Sequence, residues 1–492
     1  MGIYMKSADD IDEVDIIIVG SGTAGCVIAA RLAEADPKLS ILVIEGGRDN
    51  YNDPLVLEIY YGARDKAVHG YEGPVHVINR GYRGKESEAD FITAAKNLGM
   101  REIQDLQDLD SNDGISSGLR TVSEEGKRQD ATHMYLYPKL KDSNKYPNLH
   151  VIIEAQVVRV LFNDNKKAVG VEYRANPAFQ ATVALTAAPT RTVRARKMVV
   201  VSYGAYGTPS VLERSGVGDA GVLERAGVPL VVDVPGVGHD YQDHHLFLYP
   251  YRTGCRPDET IDAMLGGRTD DFATMLEKKD KTLGWNSINF KAWDRDFKNA
   301  PSRPLILMAT IMCFLGDPST VPVGQYVTVG TYTAYPYSRG HLYITGPKVD
   351  DPIDFDREFM RRTKMYRGEL AAGHPKFPAG SKAACVETEE APVADVKNIE
   401  YAAEDDAAIE QHLRKNVNTT WHSLGTCKMA PWENNSVVDQ YLGVYGVEGL
   451  KLADLSIVPE NVGANTNNTA LIISEKAAAI LIRELGLVST AA

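Results

Sequence analysis

Six residues near the start have the types and spacing to hold a phosphate. Gly20-Ser-Gly22-Thr-Ala-Gly25 is a GxGxxG run. In such a loop the glycines permit a tight turn and a close backbone approach to a pyrophosphate, and the following helix offers unpaired N–H groups. Thr23 sits inside the run, and Glu45 stands 20 positions beyond Gly25. A carboxylate there accepts hydrogen bonds from ribose hydroxyls and repels a ribose phosphate, which disfavours NADP. Two other groupings are weaker. Asp243-His244-His245 carries metal-ligand residue types, but adjacent residues do not converge on one ion as a helical i, i+4 pair does. No metal is expected. Ser202-Tyr-Gly-Ala lacks the GxSxG pattern of a nucleophile elbow, which argues against a serine hydrolase.

The elements needed to position the glycine loop can be read around it. Residues 14–19 (VDIIIV) form an unbroken apolar run, as in a parallel strand buried on both faces. A helix is expected over 24–35, stopped by Pro37, and a second buried strand over 40–45 ends at Glu45. Further strands are expected at 149–154, 157–162, 168–173, within 192–201 and at 449–453, and a long helix at 467–485. A helix should begin after Thr208-Pro209, and a strand and turn are expected within 228–242. Residues 51–146 show no clean periodicity. The stretch 243–414 is aromatic and lacks a βα rhythm, which suggests a mostly antiparallel sheet in a second domain.

Composition limits the partners. The chain of 492 residues has 53 Lys and Arg against 66 Asp and Glu, a formal net charge of −13. Without a basic block, a nucleic-acid partner is not expected. No apolar run reaches the ~18 residues of a membrane span. The N-terminal residues have no signal-peptide core, and LVSTAA is not an SKL-type address, so a cytoplasmic protein is expected. Cys26, Cys255, Cys313, Cys385 and Cys427 are odd in number and scattered, which suggests reduced thiols.

Four segments together resemble the GMC (glucose-methanol-choline) oxidoreductases, in particular the fungal alcohol (methanol) oxidase branch. They are GSGTAG with Glu45, GAYGTPSVLERSGVGD at 204–219, VPGVGHDYQDHH at 234–245, and TTWHSLGTCKM at 419–429 followed by LKLADLSIVPENVGANTNNTAL at 450–471. The resemblance implies an α/β fold: a Rossmann-like FAD-binding domain of GMC type plus an α+β substrate cap with a mainly antiparallel sheet. The expected divisions are 12–60, 147–242 and 415–492 for the FAD domain, and 61–146 with 243–414 for the cap. It implies bound FAD, oxidation of a primary alcohol to an aldehyde, and oxygen as acceptor with hydrogen peroxide formed. By the same resemblance, His422 is the catalytic base and Asn465 its hydrogen-bonding partner. A histidine titrates near neutrality and suits proton removal, while an amide can stabilise a developing alkoxide. Asp454 stands where the family meets the pyrophosphate, and Val157 matches a strand whose backbone meets the adenine. The resemblance implies Asn465 and Thr466 as further cofactor contacts. A small-molecule alcohol is the expected partner, and self-association is plausible by resemblance.

The sequence also departs from that family. A glycine-rich GGSSxN-type stretch that covers the flavin is missing: EGGRDNYNDPLVLEIYYGARD runs on to HGYEGPVHV without the long intervening segment. A second segment, usually helical in the family, is missing between Phe359-Met360 and the basic run Arg361-Arg-Thr-Lys364, the linker at 384–400 is short, and Tyr203 stands where a small residue is expected beside the cofactor. Two readings therefore stay open: an FAD-dependent alcohol oxidase with a trimmed site, or a flavin-free or flavin-impaired scaffold used for a lyase or cyclisation step or for binding.

Overall fold

The structure is a computed structural model. It describes residues 2–5, 10–49, 129–179, 189–255, 306–359 and 403–487, with shorter stretches at 73–75, 85–97, 99–103, 114–117, 260–262, 288–292 and 385–387 and the single positions 8, 77, 106 and 121. The segments 50–72 and 360–384, where the sequence departs from the family it resembles, lie outside the described residues.

The apolar runs form the centre of an eight-stranded sheet. In spatial order its strands are Gly2–Met5, Leu149–Ile153, Ile41–Ile44, Glu13–Val19, Arg191–Val201, Ala168–Ala175 and Ala155–Phe162, with Leu450–Leu452 also pairing to Arg191–Val201. The first five strands and Leu450–Leu452 pair in parallel, and the last two strands are antiparallel. Ile16 to Val19, Ile41 to Ile44 and Val199 to Val201 are all fully buried. Both faces of these strands are covered, which is why they read as continuous rather than alternating runs. The helices Thr23–Ala35 and Asn467–Glu484 pack against each other, tied by a bidentate Arg31–Glu475 ion pair.

Several features of the sequence reading change here. The helix expected to begin after Thr208-Pro209 starts earlier and spans Gly204–Arg214, with Pro209 inside it. Gly2–Met5 is an edge strand pairing with Leu149–Ile153, in a segment where none was expected. Within 228–242 the strand shrinks to Val232–Asp233, because Pro229 and Pro235 cannot donate to a ladder. The segment 131–146, expected in the cap, packs on the dinucleotide sheet: Tyr135, Leu136, Tyr137, Leu140 and Tyr146 join its core. It runs through a π-helical turn, Thr132–Leu136, into the helix Tyr137–Lys141.

The second sheet is antiparallel, in the order Cys385–Glu387, His245–Thr253, Gln325–Thr333, Ile306–Ile311, Ile288–Ala292 and Ile115–Ser117, with Asn418–Thr419 on His245–Thr253. His341–Ile344, expected in this sheet, instead pairs with Ile353–Asp356 in a separate hairpin. That hairpin is joined to the dinucleotide half by Glu213, whose Oε2 accepts from the Ile344 N–H at 2.8 Å. Burial raises the Glu213 carboxyl to about 8. Among the described residues no helix is long and apolar enough to cross a membrane.

Candidate active site

A cleft of 590 Å³ opens at the carboxyl ends of the parallel strands, where open α/β sheets bind their ligands. Gly20, Ser21, Gly22 and Thr23 form one wall, Glu45 stands beside them, and Trp421, Ser423 and Asp454 come from the C-terminal segment. The glycines have separate jobs. Gly20 has φ +94° and a Cβ there would meet the Ser202 carbonyl at 2.6 Å, while a Cβ on Gly25 would collide with the Gly20 carbonyl oxygen. These two allow strand, turn and helix to close on each other. Gly22 has open space where its Cβ would stand. It is also the N-cap of the helix Thr23–Ala35, with no capping side chain and no acidic residue in the first turn. The first-turn N–H groups are therefore left for an anion, and this wall fits the pyrophosphate of a dinucleotide.

Glu45 holds the loop itself. Its Oε2 accepts from Ser21 N at 2.6 Å and Ser21 Oγ at 3.1 Å, and its Oε1 accepts from Gly47 N at 2.7 Å. Asp454 is buried at the cleft wall and likewise accepts from the chain, from Gly204 N at 3.0 Å, Thr208 Oγ1 at 2.6 Å and Ser456 N at 2.6 Å. It pins the start of the helix Gly204–Arg214 to the strand Leu450–Leu452. Val157 is buried in the core of the strand Ala155–Phe162 and Thr466 is the buried N-cap of Asn467–Glu484. Neither is among the residues lining the cleft.

His422 lies between two cleft-lining residues, Trp421 and Ser423. The turn that carries it is organised by Asp243, whose carboxylate accepts from Thr419 Oγ1, from Thr420 Oγ1 at 2.8 Å and from His422 N at 3.1 Å. Trp421 adopts φ +58° in that turn. His422 Nδ1 meets His244 Nδ1 at 2.9 Å, and His244 Nε2 meets the Val462 carbonyl oxygen at 2.9 Å. Gln242 fixes the loop bearing that carbonyl: it donates to Pro459 O at 3.1 Å and accepts from Asn461 N at 3.0 Å.

This chain of contacts assigns the protons. A carbonyl only accepts, so His244 Nε2 carries hydrogen and, in the neutral ring, Nδ1 is bare. His422 Nδ1 must then be the donor between the rings. The neutral His422 is left with a bare Nε2, the lone pair of a general base. Burial, then the neighbouring His422, lowers His244 to about 3, against the pull of the Val462 and Ala334 carbonyls. It therefore stays neutral near pH 7. Burial also lowers His422, opposed by the Asp243 carboxylate.

Asn465 closes the group from the other side. Its Oδ1 accepts from Tyr332 Oη at 2.5 Å, and the Tyr332 ring lies 6.0 Å from that of His422 and 5.6 Å from that of His244. His422 and Asn465 are thus joined to one cluster through His244 and Tyr332, neither of which the sequence reading had placed in the site. The Asp243-His244-His245 string was the available signal for the first. No group of His, Cys, Asp and Glu among the described residues is arranged to hold a metal. Among the described residues the buried thiols Cys26, Cys255, Cys313 and Cys427 form no disulfide.

Comparison with known proteins gives the family. Sequence profiles described as GMC oxidoreductase match residues 49–246 and 336–474. A profile described as lycopene cyclase protein matches only 15–54, the strand–loop–helix–strand opening. An alcohol oxidase of Pichia angusta is 30% identical, over 96% of this chain and 96% of its own. The chain belongs to the GMC oxidoreductase family. With that membership it is an FAD-dependent oxidoreductase. An alcohol oxidase of Candida boidinii is 28% identical over 96% of each chain. That alignment runs over 647 positions, more than the 492 residues here, so segments of the relative have no counterpart in this GMC protein. The solved structure of an FAD-dependent oxidoreductase from Chaetomium thermophilum superposes with a TM-score of 0.78 at 19% identity, covering 96% of this chain and 100% of that one. The flavin-free reading raised by the missing segment is not favoured by these comparisons.

Proposed function

We propose that this GMC oxidoreductase oxidises a primary alcohol to the aldehyde, with dioxygen as final acceptor and hydrogen peroxide as co-product. His422 is the base and Asn465 its partner. The observation that carries the reading is the pair of histidines that leaves His422 Nε2 bare. Kinship with proteins named alcohol oxidase supports the substrate class. Each turnover balances as one alcohol and one dioxygen giving one aldehyde and one hydrogen peroxide. When bound, FAD supplies the two-electron acceptor for the hydride from the carbinol carbon.

The protein's own part is to take and hold a proton. His422 Nε2 accepts the hydroxyl proton, and the resulting imidazolium keeps its Nδ1–H on His244. The Asp243 carboxylate, bonded to the backbone of the same residue, favours that cation. Asn465 has its Oδ1 held by Tyr332, which leaves the amide N–H groups to bond the developing alkoxide. The residues surrounding FAD are those of the fitted wall, Gly20, Gly22 and Thr23, with Glu45 at the ribose; Gly25, which does not line the cleft, lets the helix close on the loop behind them. Asp454, Val157 and Thr466 are proposed as more distant supports.

An aldehyde and peroxide assay over a series of primary alcohols tests this reading. Equal amounts of aldehyde and peroxide are expected, with turnover rising with pH through a pKa below the ordinary 6.5 of histidine. Aldehyde formed without peroxide overturns the acceptor assignment. A His422→Ala variant that retains normal turnover overturns the base assignment.

A further inference from the structure

The wall beyond Glu45 is built differently from the glycine loop. With a pyrophosphate at Gly20–Gly25 and a ribose at Glu45, the adenosine end of the cleft lies past Glu45, toward Gly46. Gly46 faces the Ala155 carbonyl, at 4.0 Å from its Cβ position, and Asn176 Nδ2, at 3.8 Å. The nearest atom to that position is neither of these. It is Tyr203 Oη, at 3.1 Å.

Tyr203 belongs to the other side of the cleft. It follows the strand Arg191–Val201 and is the N-cap of the helix Gly204–Arg214. In the sheet that strand is separated from Ile41–Ile44 by Glu13–Val19. The Tyr203 side chain therefore crosses the end of the central strand to reach the residue after Glu45. Its root lies over the loop, since a Cβ on Gly20 would meet Tyr203 Cα at 3.2 Å. The ring passes against Gly207, where a Cβ would meet Cδ1 at 2.7 Å. Tyr203 lines the cleft together with Glu45. Its hydroxyl makes no hydrogen bond among the described residues, whereas its backbone N–H is held by Thr208 Oγ1 at 3.2 Å. The backbone is anchored and the ring is held by packing alone.

We propose that Tyr203 is a latch across the adenosine end of the cleft, which must turn away before the ADP half of the cofactor seats. The proposal rests on the FAD assignment and concerns how that cofactor loads. It follows from geometry: a phenol that spans from Gly207 to Gly46 occupies the path an extended dinucleotide takes from the glycine loop past Glu45. Rotation of the side chain clears that path without disturbing the bonds of Asp454 to Gly204 and Thr208, which hold the backbone. If the open arrangement is a minor state of about 1–10%, the latch weakens binding by about 10–100-fold.

The test is calorimetric titration of the full-length apoprotein with ADP and, separately, with FAD. Tyr203→Ala is expected to bind ADP about 10–100-fold more tightly than wild type, while Tyr203→Phe, which keeps the ring, stays at the wild-type value. Tyr203→Ser serves as a second opened variant if the alanine protein does not fold. Equal or weaker ADP binding by the opened variants overturns the latch, since a stacking platform, unlike a plug, loses affinity when removed. Wild type and variants that all fail to bind both ADP and FAD would instead overturn the cofactor assignment itself, and the latch with it.

Discussion

Replacing His244 by alanine removes two bonds, the Nδ1 acceptor for His422 Nδ1–H and the Nε2–H donor to Val462 O, each 2.9 Å long. It also removes a fully buried ring whose centroid is 5.0 Å from that of His422. Each buried partner left without a counterpart costs about 1–3 kcal/mol, and the space left by the ring adds to this, so a stability loss of about 2–5 kcal/mol is expected. The catalytic effect is separate. Without an acceptor at Nδ1, His422 can place its proton on Nε2, the inactive arrangement, and its ring is no longer fixed. Loss of a bond worth about 1–3 kcal/mol in the transition state slows kcat by about 5–150-fold. Water entering the gap rehydrates His422, so the acid limb of the pH–rate profile should move up toward 6.5. His244→Asn keeps an acceptor oxygen near the Nδ1 position and should recover most of kcat. Steady-state kinetics from pH 5 to pH 9 on both variants, with thermal unfolding alongside, separates these effects. An alanine variant with wild-type kcat and an unmoved acid limb would refute the proton assignment.

Other consequences follow from the same contacts. Tyr332→Phe deletes the donor to Asn465 Oδ1 and should lower kcat about fivefold with little change in thermal stability, as read by kinetics and calorimetry. Gly25→Ala drives a methyl into the Gly20 carbonyl; it should destabilise the apoprotein by about 1–3 kcal/mol in denaturant titrations and abolish ADP binding. His244 and His245 are lowered by burial to about 3 and about 4 from the ordinary 6.5. The unfolded chain therefore binds more protons below pH 6.5, and stability falls as pH drops from there toward 4. The slope in urea midpoints should approach about 1.4 kcal/mol per pH unit for each histidine.

The glycine loop was legible because its signal is local. Three glycines, a doubly buried strand before them and Glu45 after them lie within 32 residues, 14 to 45. Strand boundaries shift by two residues where ladder pairing continues past the apolar run: the reading 157–162 meets a strand that spans Ala155–Phe162, and 168–173 one that spans Ala168–Ala175, because Ala155 pairs with Ala175 and Gln156 with Arg174. His422 and Asn465 were found through the motifs that contain them. Their partners were not, because the contacts are made across the chain. His244 meets His422 across 178 positions, and Tyr332 meets Asn465 across 133. Spacing along one sequence carries no trace of either. The DHH string drew notice as a metal question, and the structure gives it a different answer: Asp243 binds the turn of His422 while His244 binds its ring. Tyr203 stood out as a large residue in a place expected to be small, but only the Gly46 contact shows where its ring goes.

The central claim, that the cleft holds FAD and the histidine pair draws a proton from an alcohol beside it, is tested most directly by visible absorption. Purified protein incubated with FAD and freed of excess should show flavin bands that bleach anaerobically on adding a primary alcohol. His422→Ala should keep the bands and fail to bleach. A protein that stays colourless after incubation with FAD, or bands that bleach equally in the alanine variant, would contradict it.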